Sequence, residues 1–185
     1  MIRGLLVCAA ILPIEEIEAA EARERAWRRC ARARRRHTRK DAASMTKILL
    51  VDDSKFLRMA MERALARAGY SVSTAADGEC ALELARREKP DLILLDMLLP
   101  KISGPEVLKT LKKDPATKGM AVIVLTGLSH KNALRLQQDG ACAFLEKAEL
   151  GLDKGCEAFL VALARIVREL KLDVPAGARE AGARA

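Results

Sequence analysis

Short apolar runs alternate with amphipathic runs five times between residues 46 and 170. Three of the apolar runs (ILLV, LILL and AVIVL) are almost wholly aliphatic, which is typical of parallel strands covered by helices on both faces. The alternation therefore predicts βα units around a mostly parallel sheet. The five predicted strands are 47–51, 70–75, 91–95, 121–125 and 142–145.

The amphipathic runs between these strands predict helices. Ser54 and Ser129 are placed to cap two of them, and Pro105 suits a first helical turn. Gly69 and Gly140 stand where a left-handed residue ends a helix. The predicted helices are 55–68, 78–88, 105–113, 131–139 and 154–170.

Composition narrows the class of protein. Half of the 185 residues are apolar and 31% are charged, which is typical of a globular chain with one core and an extension. The longest apolar run near the start, residues 4–14, is about half a membrane span, so we expect no transmembrane helix and no membrane partner. The five cysteines include no CxxC pair, which predicts neither a zinc site nor a disulfide framework and favours a reducing cytoplasm.

The net charge of +8 comes mainly from an Arg-rich extension, residues 1–44. Its arginines occupy every helical face, so the segment has no apolar stripe to bury. Three alternatives remain: a solvated or disordered arm, upstream sequence that the native protein lacks, or an arm that binds nucleic acid. We expect the native protein to begin at Met45, nucleic acid to be an unlikely partner, and residues 171–185 to form a flexible tail.

Candidate chemistry lies at the predicted strand ends. Asp52 and Asp53 follow the first strand, Asp96 the third, Thr126 the fourth, and Lys147 the fifth. Ligands of open parallel sheets bind beyond the carboxyl ends of the strands. Converging carboxylates repel one another unless a cation neutralises them, and Mg²⁺ prefers such oxygen ligands. The sequence thus predicts a magnesium-dependent phosphoryl site, with ordinary strand-end charges satisfied by solvent and helix N-termini as the alternative.

Four motifs resemble those of the response-regulator receiver family, whose members are two-component phosphoacceptor domains. They are ILLVDDS, DLILLDMLLPKISG, VIVLTG and GACAFLEK, spread over residues 46–170. The resemblance implies a flavodoxin-like, doubly wound α/β fold with a five-stranded parallel sheet in the order 2-1-3-4-5. It also implies Mg²⁺ as the cofactor.

Carried over by position, the resemblance gives each motif residue a role. Asp96 would be the phosphoacceptor and, with Asp53, a direct Mg²⁺ ligand. Asp52 would bind the ion through water, and the Leu98 backbone carbonyl would complete the protein ligands. The remaining roles are contact with the phosphoryl group for Thr126 and Lys147, and the switch positions for Thr126 and Phe144.

The chain departs from the family at two positions. Ala148 follows Lys147, where the family usually has a proline after a cis peptide bond, and a cis bond before any other residue costs about 2.5–4 kcal/mol. We therefore expect the loop after Lys147 to be either mobile or differently routed. Phe144 has no hydroxyl, so any switching at this position rests on packing.

We expect a stand-alone receiver that takes its phosphoryl group from a histidine kinase or phosphotransfer protein and signals by binding a downstream protein. The tail after Leu170 is too short for an output domain, and catalysis would be limited to the receiver's own phosphorylation and dephosphorylation. The resemblance implies a partner surface on the 131–139 helix, the fifth strand and the last helix. The alternatives are a phosphorylation-independent adaptor and a haloacid-dehalogenase-type phosphatase, whose Asp-x-Asp motif is missing.

Overall fold

The computed structural model describes residues 45–127, 138–149 and 156–172. Within them the chain forms five strands and four α-helices. The elements are β1 (Lys47–Val51), α1 (Lys55–Arg67), β2 (Ser71–Ala75), α2 (Gly78–Glu88), β3 (Leu92–Asp96), α3 (Gly104–Lys113), β4 (Ala121–Thr126), β5 (Ala143–Glu146) and α4 (Glu157–Glu169). The extension 1–44, Ser129, most of the 131–139 helix and the tail beyond residue 172 lie outside the described residues.

All strand pairs in the sheet are parallel, and the strand order is β2-β1-β3-β4-β5. Both the fold class and the strand order implied by the family resemblance are therefore confirmed. The chain moves from β1 to β2 on one side and then returns to β3 on the other side of β1. The carboxyl ends of β1 and β3 consequently flank the point where the winding reverses, which is where ligands bind in such sheets.

Alternate strand residues pack into two hydrophobic cores, one on each face of the sheet. Ile48 and Leu50 of β1 contact the core formed with α1 and α4, whereas Leu49 and Val51 contact the core formed with α2 and α3. This alternation follows from the two-residue period of a strand. It explains why β1, β3 and β4 are aliphatic at nearly every position.

The residues that begin and end the helices are largely those that the sequence predicts. The Ser54 hydroxyl accepts a hydrogen bond from the Leu57 N–H at the start of α1, and Pro105 lies in the first turn of α3. Gly69 and Gly140 have φ angles of 90° and 106°, which only glycine adopts readily. Asp77, which the sequence reading missed, caps α2 by accepting from the Cys80 N–H at 2.9 Å.

The predicted strand limits were wrong by one residue at several carboxyl ends. β3 includes Asp96, β4 includes Thr126, and β5 includes Glu146. The candidate residues Asp96 and Thr126 are therefore held by sheet hydrogen bonding. Among the described residues no helix has both the length and the apolar character needed to cross a membrane.

One cysteine differs from the other two that the structure describes. Cys80 and Cys156 are free thiols, whereas Cys142 is disulfide-bonded. The sequence analysis argued against a framework of disulfides, and the spacing of the cysteines gave no signal for a single bond at Cys142.

Candidate functional site

Three carboxylates meet at the carboxyl edge of the sheet. Asp52 follows β1, Asp96 ends β3, and the two strands lie side by side with Val51 opposite Leu95. One oxygen of each of Asp52, Asp53 and Asp96 lies within 4.8 Å of the others. Asp52 and Asp96 are buried and Asp53 is exposed, so the cluster has one side open to solvent.

Lys147 joins this cluster from the edge strand β5, which it directly follows. Its Nζ atom donates to Asp52 Oδ2 and to Asp96 Oδ2, each at 2.8 Å. The lysine thus neutralises part of the negative charge of two buried carboxylates, which would otherwise repel each other.

These contacts shift two pKa values. Burial raises the pKa of Asp52 above its usual value, although the hydrogen bond from Lys147 acts in the opposite direction. Burial alone would lower the pKa of Lys147, but the hydrogen bonds to Asp52 and Asp96 outweigh it and the pKa lies above its usual value. Lys147 therefore stays protonated at neutral pH.

Backbone amides hold the second oxygen of each buried carboxylate. The Ser54 N–H donates to Asp52 Oδ1 at 2.9 Å, and the Leu98 N–H donates to Asp96 Oδ1 at 3.3 Å. The loop that supplies Leu98 is packed tightly, because a Cβ added at Gly104 would lie 2.5 Å from the Met97 Cα. Neither carboxylate is free to change its rotamer without losing a hydrogen bond.

Arg58 is a member of the site that the sequence reading missed. Its NH1 group donates to the backbone carbonyl of Asp52 at 2.6 Å and to that of Asp53 at 3.3 Å. The one feature of the sequence that could have pointed to Arg58 is its position four residues after the Ser54 cap, which places it near the start of α1 and close to Asp52 and Asp53. A carbonyl contact leaves no trace in a sequence pattern.

Thr126 and Phe144 lie on neighbouring strands beside the cluster. Thr126 is buried at the end of β4, opposite Glu146 of β5. Phe144 is half-buried and packs against the core formed with α2 and α3. The switch roles implied for these residues stay predictions.

Leu98 and Ala148 occupy the two loops over the site. The Leu98 side chain is exposed, and the metal contact implied for its carbonyl stays a prediction. Ala148 lies in a 3₁₀ turn, Lys147–Glu149, and no peptide bond among the described residues is cis. This agrees with the expectation that the loop is routed without the cis bond.

The donor set fits a divalent cation. Three carboxylates supply hard oxygen donors, and Mg²⁺ is usually held by one or two carboxylates while its other positions take water or phosphate oxygens. The exposed Asp53 would leave such positions accessible. The residues that would hold the ion are Asp53 and Asp96 directly, with Asp52 beside them.

Comparison with known proteins decides the family. Residues 48–155 match the family described as the response regulator receiver domain. The chain belongs to this family. This match confirms the resemblance seen in the sequence, and receiver domains are components of two-component systems.

Relatives of this receiver include larger regulatory proteins. Response regulator PleD of Caulobacter vibrioides is 41% identical over 103 residues, which are 55% of this chain and 22% of PleD. The gliding motility regulatory protein of Myxococcus xanthus is 42% identical over 118 residues, 63% of this chain and 15% of that protein. The chain therefore spans only about a fifth of the length of these curated relatives.

A solved structure of the Vibrio cholerae chemotaxis protein CheY4 resembles this receiver, and the match covers nearly the whole length of CheY4. The two are 31% identical, with a TM-score of 0.59, and the match covers 66% of this chain and 99% of the CheY4 chain. The receiver domain of a Vibrio parahaemolyticus Luxo repressor protein is 29% identical, with a TM-score of 0.60 and 69% and 94% coverage.

Proposed function

We propose that this receiver accepts a phosphoryl group on Asp96 from a histidine kinase or a phosphotransfer protein. The observation that carries the proposal is the arrangement around Asp96, a buried carboxylate in contact with a protonated lysine and clustered with two further carboxylates. An ordinary charged residue at a strand end can be satisfied by solvent, so that alternative does not explain the lysine and the two further carboxylates beside Asp96.

The transfer forms one bond and breaks one. An oxygen of Asp96 bonds to phosphorus while the bond from phosphorus to the donor's imidazole nitrogen breaks, and the electron pair stays on that nitrogen. Mg²⁺, when bound, would neutralise the charge on the transferring phosphoryl oxygens. The chain's own contribution is positioning, since Leu98 and Lys147 fix the orientation of the Asp96 carboxylate.

Lys147 has a second part in the proposal. In the structure its ammonium contacts Asp52 and Asp96, so the acceptor carries a neutralising partner before any transfer. We propose that the ammonium moves to a phosphoryl oxygen as the acyl phosphate forms, with the Thr126 hydroxyl donating to another. Subsequent loss of phosphate is hydrolysis by water, so the protein acts only on itself and is not a metabolic enzyme.

Phosphorylation is tested with acetyl phosphate and Mg²⁺, followed by intact-mass measurement and mapping of the modified residue. We expect the gain of one phosphoryl group on Asp96 and none in Asp96→Asn. Asp53→Asn should bind Mg²⁺ more weakly and be labelled more slowly, because it loses an anionic ligand. Glu83→Gln, which changes an exposed carboxylate on α2, is the matched control. Normal labelling of Asp96→Asn at the same site would refute the assignment.

We propose that the output is binding of another protein. The likeness to a chemotaxis protein whose whole chain is matched supports a stand-alone arrangement. The proposed partner surface includes β5 and α4, together with the 131–139 segment. Amide exchange before and after treatment with acetyl phosphate tests it, and unchanged rates across β5 and α4 would contradict the proposed route.

The second candidate is a phosphorylation-independent adaptor. The observation that favours it is that Lys147 already satisfies both buried carboxylates, so the site is stable without a phosphoryl group. If the wild-type protein gains no mass with acetyl phosphate and Mg²⁺, this candidate replaces the first.

We place the reaction in the cytoplasm. The free thiols of Cys80 and Cys156 suit a reducing compartment, whereas the disulfide at Cys142 is the observation that opposes it. Thiol alkylation of protein taken from its own cells shows whether Cys142 is reduced or oxidised there. A fully alkylated Cys142 supports the cytoplasm, and an oxidised Cys142 contradicts it.

A further inference from the structure

We propose that Arg58 is a positioning residue of the receiver site, which holds the backbone of Asp52 and Asp53 so that the Asp53 carboxylate is ready to bind a divalent cation. The inference rests on the proposed function, since it concerns the same cation. It adds a residue that lies outside the carboxylate and lysine cluster and acts through the main chain.

The contact that motivates it is a bridge across two consecutive peptide groups. The NH1 group of Arg58 reaches the Asp52 carbonyl at 2.6 Å and the Asp53 carbonyl at 3.3 Å. Charge-assisted hydrogen bonds of this kind are about twice as strong as neutral ones. The guanidinium therefore contacts the peptide groups on both sides of the Asp53 Cα atom and fixes the main chain there.

Asp53 depends on this bridge more than Asp52 does. Asp52 is also held by the Ser54 N–H and by Lys147, and it is fully buried. The Asp53 side chain is exposed and, among the described residues, its carboxylate has no hydrogen-bond partner. The position of Asp53 is thus set by its backbone, and Arg58 is the side chain that fixes that backbone.

Two effects of Arg58 on cation binding have opposite signs. Fixing the backbone favours binding. A loose loop loses conformational entropy when it binds the cation, whereas a loop that Arg58 already orders loses less. The positive charge of the guanidinium disfavours binding of a second cation. A lysine keeps the charge but offers a single ammonium in place of the planar guanidinium fork, so Arg58→Lys isolates the positioning effect.

The expected effect of Arg58→Lys is a Mg²⁺ affinity that is weaker by about tenfold, which corresponds to the cost of ordering one residue. The Mg²⁺ concentration needed for half-maximal labelling by acetyl phosphate should rise by the same factor. At saturating Mg²⁺ the labelling rate should stay within about twofold of wild type, because Arg58 contacts neither Asp96 nor Lys147 in the structure.

The experiment measures Mg²⁺ binding to the unphosphorylated full chain by calorimetry, with amide exchange at residues 53 and 54 and the thermal midpoint without Mg²⁺. Arg63→Lys, on an exposed face of the same helix, is the matched control and should leave Mg²⁺ affinity unchanged. If Arg58→Lys does not fold, Arg58→Gln takes its place with amide exchange at residues 53 and 54 as the deciding measurement, because this substitution also removes the charge: faster exchange supports the inference, and wild-type exchange overturns it.

The outcomes separate this inference from the proposed function. Weaker Mg²⁺ binding with faster exchange at residues 53 and 54 in Arg58→Lys supports it. Wild-type affinity in Arg58→Lys, or tighter binding in both Arg58→Lys and Arg58→Gln, overturns it while leaving the proposed function intact. Absence of Mg²⁺ binding and labelling in the wild-type protein would instead overturn the proposed function, and this inference with it.

Discussion

Replacement of Lys147 by methionine removes the charge that neutralises the buried carboxylates and keeps a flexible side chain of similar length. The Lys147 side chain is 23% exposed, whereas Asp52 and Asp96 are 0% and 5% exposed. Removing one partner of a buried ion pair typically costs about 3–5 kcal/mol, because the remaining charge is left without compensation. Solvent reaches one side of this site, so we expect the lower end, about 3 kcal/mol.

This loss should depend on pH, through Asp52. The pKa of Asp52 is raised by burial, and Lys147 pulls it down, so Lys147→Met should raise it further. An acid whose pKa is higher in the folded protein than in the unfolded chain binds its proton first in the folded protein. The folded state therefore gains stability as the pH falls through the raised folded pKa towards the ordinary value of 3.8. The deficit of Lys147→Met relative to wild type should shrink over that window.

Magnesium should reverse part of the deficit. With the ammonium gone, a cation no longer competes with Lys147 for the carboxylate oxygens, so the variant should bind Mg²⁺ more tightly than the wild type. A ligand that binds only the folded state stabilises it in proportion to the logarithm of its concentration over its dissociation constant. The same Mg²⁺ concentration should therefore stabilise the variant more.

Urea unfolding of both proteins, with and without Mg²⁺ and from pH 7 downwards, measures all three effects. Lys109→Met is the matched control, because Lys109 is exposed and lies 3.9 Å from a partly exposed Asp139, and surface pairs of this kind contribute about 1 kcal/mol at most. A deficit for Lys147→Met no larger than that of Lys109→Met at pH 7, or one that does not change with pH, would refute the reasoning.

Three further substitutions test other parts of the fold. Tyr70→Phe should leave the free energy of unfolding unchanged or raise it by up to about 2 kcal/mol, because the buried Tyr70 hydroxyl has no hydrogen-bond partner in the described residues; a clear loss in urea unfolding would contradict this. Gly104→Ala should destabilise the protein by about 1–3 kcal/mol and slow labelling of Asp96, since the new Cβ meets the Asp96 carbonyl oxygen and Met97; a wild-type melting curve and labelling rate would count against it. Leu98→Asn should speed loss of phosphate, because an amide can orient the attacking water, with stability within about 0.5 kcal/mol since Leu98 is 68% exposed; unchanged or slower decay eliminates the hypothesis.

The regular elements could be predicted because each has a local signature. The aliphatic runs of β1, β3 and β4 require two covered faces, and the Ser54 cap and the glycine at position 69 depend only on nearby residues. The strand order could not be derived from periodicity, since the alternation of strands and helices along the chain does not say which strands are neighbours in the sheet. It came from the resemblance of four motifs to a family.

The contacts within the site were less predictable. Convergence of Asp52, Asp53 and Asp96 follows from the position of each at a strand end, once the order of strands is known. The bridge from Arg58 to two carbonyls, and the shared contact of Lys147 with two carboxylates, depend on side-chain rotamers and distances that no spacing rule encodes.

The position of Lys147 links the charge of the site to the edge of the sheet. Within the described residues β5 pairs with β4 alone. It has four residues and is half-buried throughout, so a small displacement disturbs fewer contacts than it would in β3. Lys147 directly follows this strand, and in the structure its ammonium is tied to Asp52 and Asp96 at the centre of the sheet. If a phosphoryl group on Asp96 attracts the ammonium, as proposed, the strand whose end carries it is an edge strand, which is displaced more easily than the central strands. Phe144 lies on that strand and packs, partly buried, against the core formed with α2 and α3, so the same displacement would alter its packing without requiring a hydroxyl.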